Sequence, residues 1–464
     1  MKNKIGSFLS KIWCKIDIIV IIMCFFILLL KTVISDYISP IVTLIPSIIL
    51  PIWFIIILLK KRIKFEKHDI FFVLMLIIGT ISGLINNQRI IAIVYQIKSL
   101  SVYYLLYMVI RSIDIDKNKI KSILNVFNVS TIVLIVFAIV EVISSKTLLF
   151  PSSWAKEIVY ADNFIRAYSL ICNPNVFAFY LIFMLLFNYS YNQNKFDVKN
   201  TVLYTLLFVG IILSISRSAM LCVGILGAIY FVYLLFHYLK KQKIENKLPF
   251  KLILLSLSLA AVISVCTYKI NDYYKENIIK SENINQSINE NINEGNKNQN
   301  ENKENNIIYN DESFFGRITD MLNISFLNNS MNNGRLAILK YGFNCLEKNI
   351  LIGTGFSSFL TASNFLNPDL EAKELGLEYA DNQYIAILVE TGVLGFFALA
   401  AALLSFLISA YKRKDYLSIM ATFVLCFFGL FINCLEVQLI TFMYFLFIAL
   451  NDKNQIMGVN EWKK

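Results

Sequence analysis

Charge is scarce in this chain. Only 16% of its 464 residues are Asp, Glu, Lys or Arg, against about a quarter in a soluble domain. Hydrophobic residues reach 57%, above the roughly 45–50% of soluble proteins, which excludes an ordinary soluble fold. Histidine is scarcer still, with only His68 and His237. The eight cysteines show no metal-site spacing. Most fall in apolar stretches, where Cys acts as a small hydrophobe. A clear small-residue cleavage site is also missing after the first apolar block. That block, preceded by Lys11 and Lys15, reads as an uncleaved span rather than a signal peptide.

What is abundant is apolar sequence in long blocks. A helix needs about 20 apolar residues to cross the hydrocarbon core. Such blocks lie near 17–35, 41–59, 69–87, 90–110, 123–143, 174–190, 200–216, 218–238, 249–268, 383–411, 415–433 and 436–450. The expected fold is all-α, a polytopic membrane protein of about 12 transmembrane helices. The net charge of +11 sits mostly at the termini and on every second connection, as in "KKRIKFEKH", "RSIDIDKNKIK", "KKQKIENKLPFK" and "YKRKD". This is the positive-inside bias. It predicts a multi-pass protein of the cell (plasma or inner) membrane with both termini cytoplasmic. It also accounts for the basicity without a nucleic-acid patch, so the partner implied is the lipid bilayer and not nucleic acid.

With that topology the chain divides into spans 1–9 over residues 1–268, a long extracytoplasmic loop over 269–382, and spans 10–12 with a cytoplasmic tail over 383–464. The Asn-rich part of the loop, about 281–310, has few apolar residues to offset chain entropy and is expected to be disordered. Residues 333–348 place Leu336, Leu339, Phe343 and Leu346 at helical spacing behind Asn332 or Asn333, which predicts an amphipathic helix. Cys172 and Cys345 both fall on the outer side, where a disulfide between them is open.

Polar residues in or beside the spans need a reason, because a charge in hydrocarbon costs several kcal/mol by most estimates. Arg166 precedes the sixth span, and Asn173-Pro174-Asn175 opens it. The triplet reads equally as a capped helix start. "SISR" puts Ser214, Ser216 and Arg217 in the short outer turn between spans seven and eight. An interfacial, snorkelling arginine is the bland alternative. The hairpin brings Arg166 and Arg217 to one level, where two guanidiniums and hydroxyls suit phosphate oxygens. Arg335 heads the outer helix and reads either as a third cation over that level or as a solvated residue. Lys98 and Glu390, both inside spans, are candidate partners for each other.

These stretches resemble, in order, the O-antigen ligase and polymerase superfamily, the membrane glycosyltransferases of the WaaL and Wzy type. The shared features are Arg166 followed by Asn-Pro-Asn, then Ser-x-Ser-Arg ending at Arg217. A Gly334-Arg335 helix leads on to a Gly353-x-Gly355 turn. In "DNQYIAILVETGVLGF", finally, Asp381 and Asn382 stand nine residues before Gly392-x-x-Gly395. The resemblance implies transfer of a glycan from undecaprenyl diphosphate to an acceptor hydroxyl, extracytoplasmic and metal-independent, with no cofactor. It implies catalytic roles for Arg217 and Arg335 at the diphosphate and for Asp381 as base. Arg166, Asn173, Asn175, Ser214, Ser216, Asn382 and Glu390 would bind substrate. The base assignment rests on a departure: the ligases have His where this chain has Asp381, and both histidines here fall on loops expected in the cytoplasm. An N-cap of the tenth span is the plain alternative for Asp381 and Asn382.

That departure favours a polysaccharide polymerase that extends a lipid-linked repeat unit of capsule, exopolysaccharide or O-antigen type. Its partners would be an undecaprenyl-diphosphate-linked oligosaccharide and a possible chain-length regulator. A ligase joining finished glycan to a lipid, protein or wall acceptor is the alternative in the same class. A lipid-linked oligosaccharide transporter is a further one, disfavoured by unlike halves and by polar residues gathered near one face. A structural membrane partner without catalysis is the last.

Overall fold

The computed structural model describes residues 17–60, 63, 65–113, 115–144, 166–191, 196–239, 250–293, 335–377 and 379–461. Among them every regular element is a helix. The chain runs through α1 (Asp17–Leu29), α2 (Lys31–Tyr37), α3 (Ile45–Lys60), α4 (Lys67–Ile85), α5 (Ile90–Ser112), α6 (Lys117–Ile143), α7 (Pro174–Tyr191), α8 (Val198–Leu213) and α9 (Arg217–Leu239). It continues through α10 (Phe250–Asn293), α11 (Arg335–Glu347), α12 (Leu370–Glu374), α13 (Gln383–Lys412), α14 (Tyr416–Phe428) and α15 (Gln438–Glu461).

Each of the twelve apolar blocks is helical. Among the described residues seven helices are long and apolar enough to cross a membrane, or eight if α1 and α2, bent by 73°, form one broken span. Val198–Leu213, Arg217–Val232, Tyr416–Phe428 and Gln438–Asp452 are shorter apolar helices. Helix starts follow local chemistry. Asp116, Asp197 and Asp415 each accept a backbone N–H three residues on, the usual N-cap bond. Glu66 and Asp69 form a capping box at α4.

Connections of one parity meet at one end. Ala167 N–H donates to the Leu213 carbonyl and Gln383 N–H to that of Gly429. Asn271 reaches the Val142 carbonyl, and Gln88 that of Thr354. The basic connections lie at the other end. There Arg111 pairs with Asp69 at 2.8 Å, Arg413 with Asp452 at 3.0 Å, and Ser409 Oγ reaches Glu66.

Two expectations are corrected. Helix α10 runs without a break across the boundary at 268 and on to Asn293, so residues 281–293 are helical rather than disordered. Extending a formed helix escapes the nucleation cost, and Ile284, Ile288 and Ile292 recur at helical spacing. Residues 294–310 lie outside the described residues. Helix α11 covers Arg335–Glu347, the expected cap at Asn332 or Asn333 lying outside the described residues, and its buried face carries Ile338, Tyr341, Cys345 and Leu346, while Leu336 and Phe343 are exposed. Contacts across the loop set that rotation: Gly342 lies against Ile385 and Phe359, and the Tyr341 hydroxyl donates to Asp369 at 2.7 Å.

Helix α13 is interrupted at Gly392, whose φ of +63° is left-handed, a conformation that favours glycine. Segment 350–355 lies in the gap. The carbonyls of Val389 and Glu390 accept from Thr354 and Gly355 at 2.8 and 2.9 Å. Val393 and Leu394 donate to the carbonyls of Ile350 and Leu351 at 2.9 and 3.1 Å. On its other side the segment rests on α4, where Phe356 N–H meets the Gly79 carbonyl at 3.1 Å and Ser82 Oγ donates to the Gly353 carbonyl at 2.7 Å. Gly355, at φ +94°, has no room for a Cβ beside the backbone of Gly83.

Gly355→Ala should therefore destabilise the fold by on the order of 1–3 kcal/mol. Gly224→Ala, with open space around it on α9, should leave stability unchanged or slightly raised. Thermal unfolding of the two variants in detergent tests the contrast; equal midpoints would contradict the tight approach to α4.

Candidate functional site

The end that holds the 350–382 loop also holds most of the residues singled out in the sequence, in two groups. The first sits where α7, α8 and α9 begin or end. Pro174 occupies the first position of α7, where its missing N–H costs nothing. Asn173 Oδ1 accepts from the N–H groups of Asn175 and Val176 at 3.0 and 3.1 Å, so Asn173 is a helix cap. Asn175 is different. Its Oδ1 accepts from Arg166 Nη2 and from Ser216 Oγ, both at 2.9 Å. Arg166 Nε donates to the Ser214 carbonyl at 3.1 Å. One half-buried guanidinium thus ties the start of α7 to the turn between α8 and α9.

That turn is strained. Ile215 has φ +45°, a genuine outlier for a β-branched residue, and such strain persists only where the surroundings hold it. The bend turns the Ser214 carbonyl to Arg166 and the Ser216 hydroxyl to Asn175. Ser216 Oγ also lies 3.2 Å from Ser218 Oγ and accepts from Ala219 N–H at 3.4 Å. Arg217 follows as the first residue of α9 and is exposed. A guanidinium there adds to the partial positive charge of a helix N-terminus. Arg335 is likewise the first residue of its helix, α11.

The second group surrounds the start and the break of α13. Asn382 is the N-cap: its Oδ1 accepts from Tyr384 and Ile385 N–H at 3.0 Å each, and its Nδ2 donates to the Leu430 carbonyl at 3.2 Å. The capping alternative therefore belongs to Asn382 and not to Asp381, which lies half-buried just before it. Glu390 is fully buried. Its Oε1 accepts from Ser357 N–H at 2.8 Å and Thr361 Oγ1 at 2.9 Å, and its Oε2 from Gln96 Nε2 at 3.3 Å. Lys98 is not its partner; the ammonium lies 3.6 Å over the Tyr95 ring, a cation–π contact.

Sequence reasoning missed Glu436. Gln96 Nε2 bonds both Glu390 and Glu436, so one amide spans two buried carboxylates. Glu436 Oε2 also accepts from Ala362 N–H at 2.6 Å and from the Tyr379 hydroxyl at 3.2 Å. Burial, and after it the neighbouring Glu436 charge, hold the Tyr379 phenol well above its ordinary range, so it stays a donor. The signal was present: Glu436 interrupts an apolar run as Glu390 does. Gly79, Ser82 and Gly83, a small-residue face on α4 of the kind that admits close approach, were also legible.

Among the described residues no three or more His, Cys, Asp or Glu side chains gather as a metal site would need. Cys172 and Cys345 are both free thiols, so the open disulfide is not formed. Burial pushes the Cys345 thiol up.

The described residues thus form an all-α, polytopic membrane protein with a broken helix, α13, that takes in segment 350–355, and with Arg217 and Arg335 each heading a helix. Residues 202–400 match the family model Wzy_C, described as O-antigen ligase. The match places this segment in the O-antigen ligase and polymerase superfamily and supports a membrane glycosyltransferase of that type. No curated protein matches the chain.

Asn173 and Asn175, two residues apart, should respond differently to substitution. Asn173→Ala removes a cap, at about 1 kcal/mol. Asn175→Leu leaves a guanidinium nitrogen and a hydroxyl without their acceptor and should cost more, about 1.5–3 kcal/mol for the charged bond alone. Denaturant titration in detergent measures both, and a larger loss for Asn173→Ala would contradict the assignment.

Proposed function

We propose that the protein is a polysaccharide polymerase. It transfers a growing glycan from undecaprenyl diphosphate to a hydroxyl of the next lipid-linked repeat unit, at the extracytoplasmic face of the cell membrane. The observation that carries this reading is the arginine-centred lattice of Arg166, Asn175, Ser214 and Ser216, with Arg217 exposed beside it at the start of α9. A diphosphate brings the negative charge such a place favours. In the transfer the acceptor oxygen bonds to the anomeric carbon, and the bond from that carbon to the phosphate oxygen breaks. Undecaprenyl diphosphate leaves with the bonding electrons. Arg217 and Arg335, assisted by Arg166, stabilise the charge that develops on it. Asp381 accepts the hydroxyl proton. Ser214 and Ser216 shape the diphosphate side, Asn173 and Asn175 set the helix start beneath it, and Asn382 and Glu390 orient the acceptor side. No metal takes part.

The description of the matched family as O-antigen ligase supports one further reading, a single transfer of finished glycan to a lipid, protein or wall acceptor. Asp381 in the place of the ligases' histidine favours the polymerase.

Purified protein supplied with lipid-linked repeat units should yield a ladder of lengthening products; one transfer product would favour the ligase. Arg217→Ala and Arg335→Ala should each lower the rate by roughly 10²–10³-fold. Asp381→Asn should lower kcat by about 10²–10⁴-fold with little change in donor KM. An undiminished ladder from the two arginine variants would remove the mechanism.

A further inference from the structure

Glu141 belongs to no motif named above, yet its side chain is fully buried near the end of α6. Its carboxylate accepts from Tyr168 N–H at 3.3 and 3.2 Å and from Ser169 N–H at 2.7 Å. These are the leading N–H groups of the short 3₁₀ turn Ser169–Ile171, which no helical carbonyl serves. Ser169 and Cys172 both hold left-handed φ angles, +52° and +60°, so this stretch is bent at two non-glycine residues. Ser169 Oγ adds a bond to the Leu134 carbonyl at 2.8 Å, and Ala167 N–H one to the Leu213 carbonyl at 2.8 Å. Strained backbone of this kind persists where its surroundings over-determine it. Arg166 is next in the chain to Ala167 and two residues from Tyr168.

We propose that Glu141 is a positioning residue. Its buried carboxylate clamps the Tyr168–Ser169 backbone and so sets the Arg166 guanidinium onto Asn175 and the Ser214 carbonyl, in the pose that meets the donor diphosphate. The inference rests on the diphosphate reading above. A carboxylate is the group this clamp needs, because it offers acceptor oxygens only. Glutamine, of the same size, would turn an NH₂ toward one of the backbone donors. Acting through Arg166, Glu141 governs the diphosphate and not the polyprenyl chain.

The test uses the full-length protein in lipid nanodiscs, titrated with undecaprenyl diphosphate and separately with undecaprenol. Glu141→Gln should raise the Kd for undecaprenyl diphosphate roughly tenfold, the scale of one misplaced charge-assisted contact. The Kd for undecaprenol should not change. In an Arg166→Ala background Glu141→Gln should weaken binding no further, since a residue that acts through another is silent once the other is gone. Glu141→Asp keeps both oxygens on a shorter arm and should fall between wild type and Glu141→Gln; it serves should the glutamine variant fail to fold. Undiminished diphosphate binding in the Glu141 variants, an equal loss for undecaprenol, or additive losses in the double variant would each overturn the proposal. If Arg166→Ala itself leaves diphosphate binding intact, the fault lies with the diphosphate reading, and the two failures are thereby told apart.

Discussion

The exchange of backbone hydrogen bonds at Gly392 is the constraint on which the rest of this end depends. A helix in lipid cannot leave peptide groups unserved, and non-helical backbone survives at membrane depth only where protein covers it. Segment 350–355 provides that cover, taking over two donors and two acceptors of α13. Everything nearby follows from the insertion. Gly353, Gly355 and Gly392 carry left-handed φ angles, and α4 presents Gly79, Ser82 and Gly83 so that the segment can lie flat. The gap in α13 directs the Glu390 carboxylate to Ser357 and Thr361. A helix unbroken at this point would lose the four backbone bonds that tie segment 350–355 to α13.

Three buried carboxylates repeat one device. Glu390 holds Ser357, Glu436 holds Ala362, and Glu141 holds Tyr168 and Ser169, in each case through backbone N–H groups. A hydrogen bond contributes about 0.5–1.5 kcal/mol net, while taking a polar group out of water costs about 1–3 kcal/mol or more. The balance argues against these acids as plain stabilisers. What they give is a fixed path for connections that lie outside the long helices. Arg217 and Arg335 each head a helix at this end, while the three glutamates are buried behind the backbone they hold.

Much of this was legible in the sequence, for physical reasons. Twelve apolar blocks became helices because hydrophobic length is a strong signal for membrane helices. Asn382 and Asn173 could be read as caps, and the Arg166–Asn175–Ser214 neighbourhood could be placed because a hairpin forces its ends together. What failed were inferences that needed partners far along the chain. The buried face of α11 was misjudged since Gly342 meets Ile385 and Tyr341 meets Asp369, contacts that periodicity does not encode. Lys98 and Glu390 were matched by charge alone, whereas Tyr95, Gln96 and the 357–361 loop supplied their neighbours.

The nine-residue interval between Asn382 and Gly392 now has a structural meaning. Asn382 caps α13 and Gly392 breaks it, so the interval is the length of one short helical segment, Gln383–Thr391, held at both ends. At its start Gln383 N–H reaches the Gly429 carbonyl, while Gln383 Oε1 accepts from Leu435 N–H at 3.0 Å. At its far end the Gly353–Gly355 turn closes the gap. A one-residue change in this segment would rotate it by about 100° and swing Glu390 away from Gln96, Ser357 and Thr361. Both the cap and the break would then lose their partners at once. The spacing is therefore set by the helical repeat, and Asp381, just outside the cap, takes its place from it.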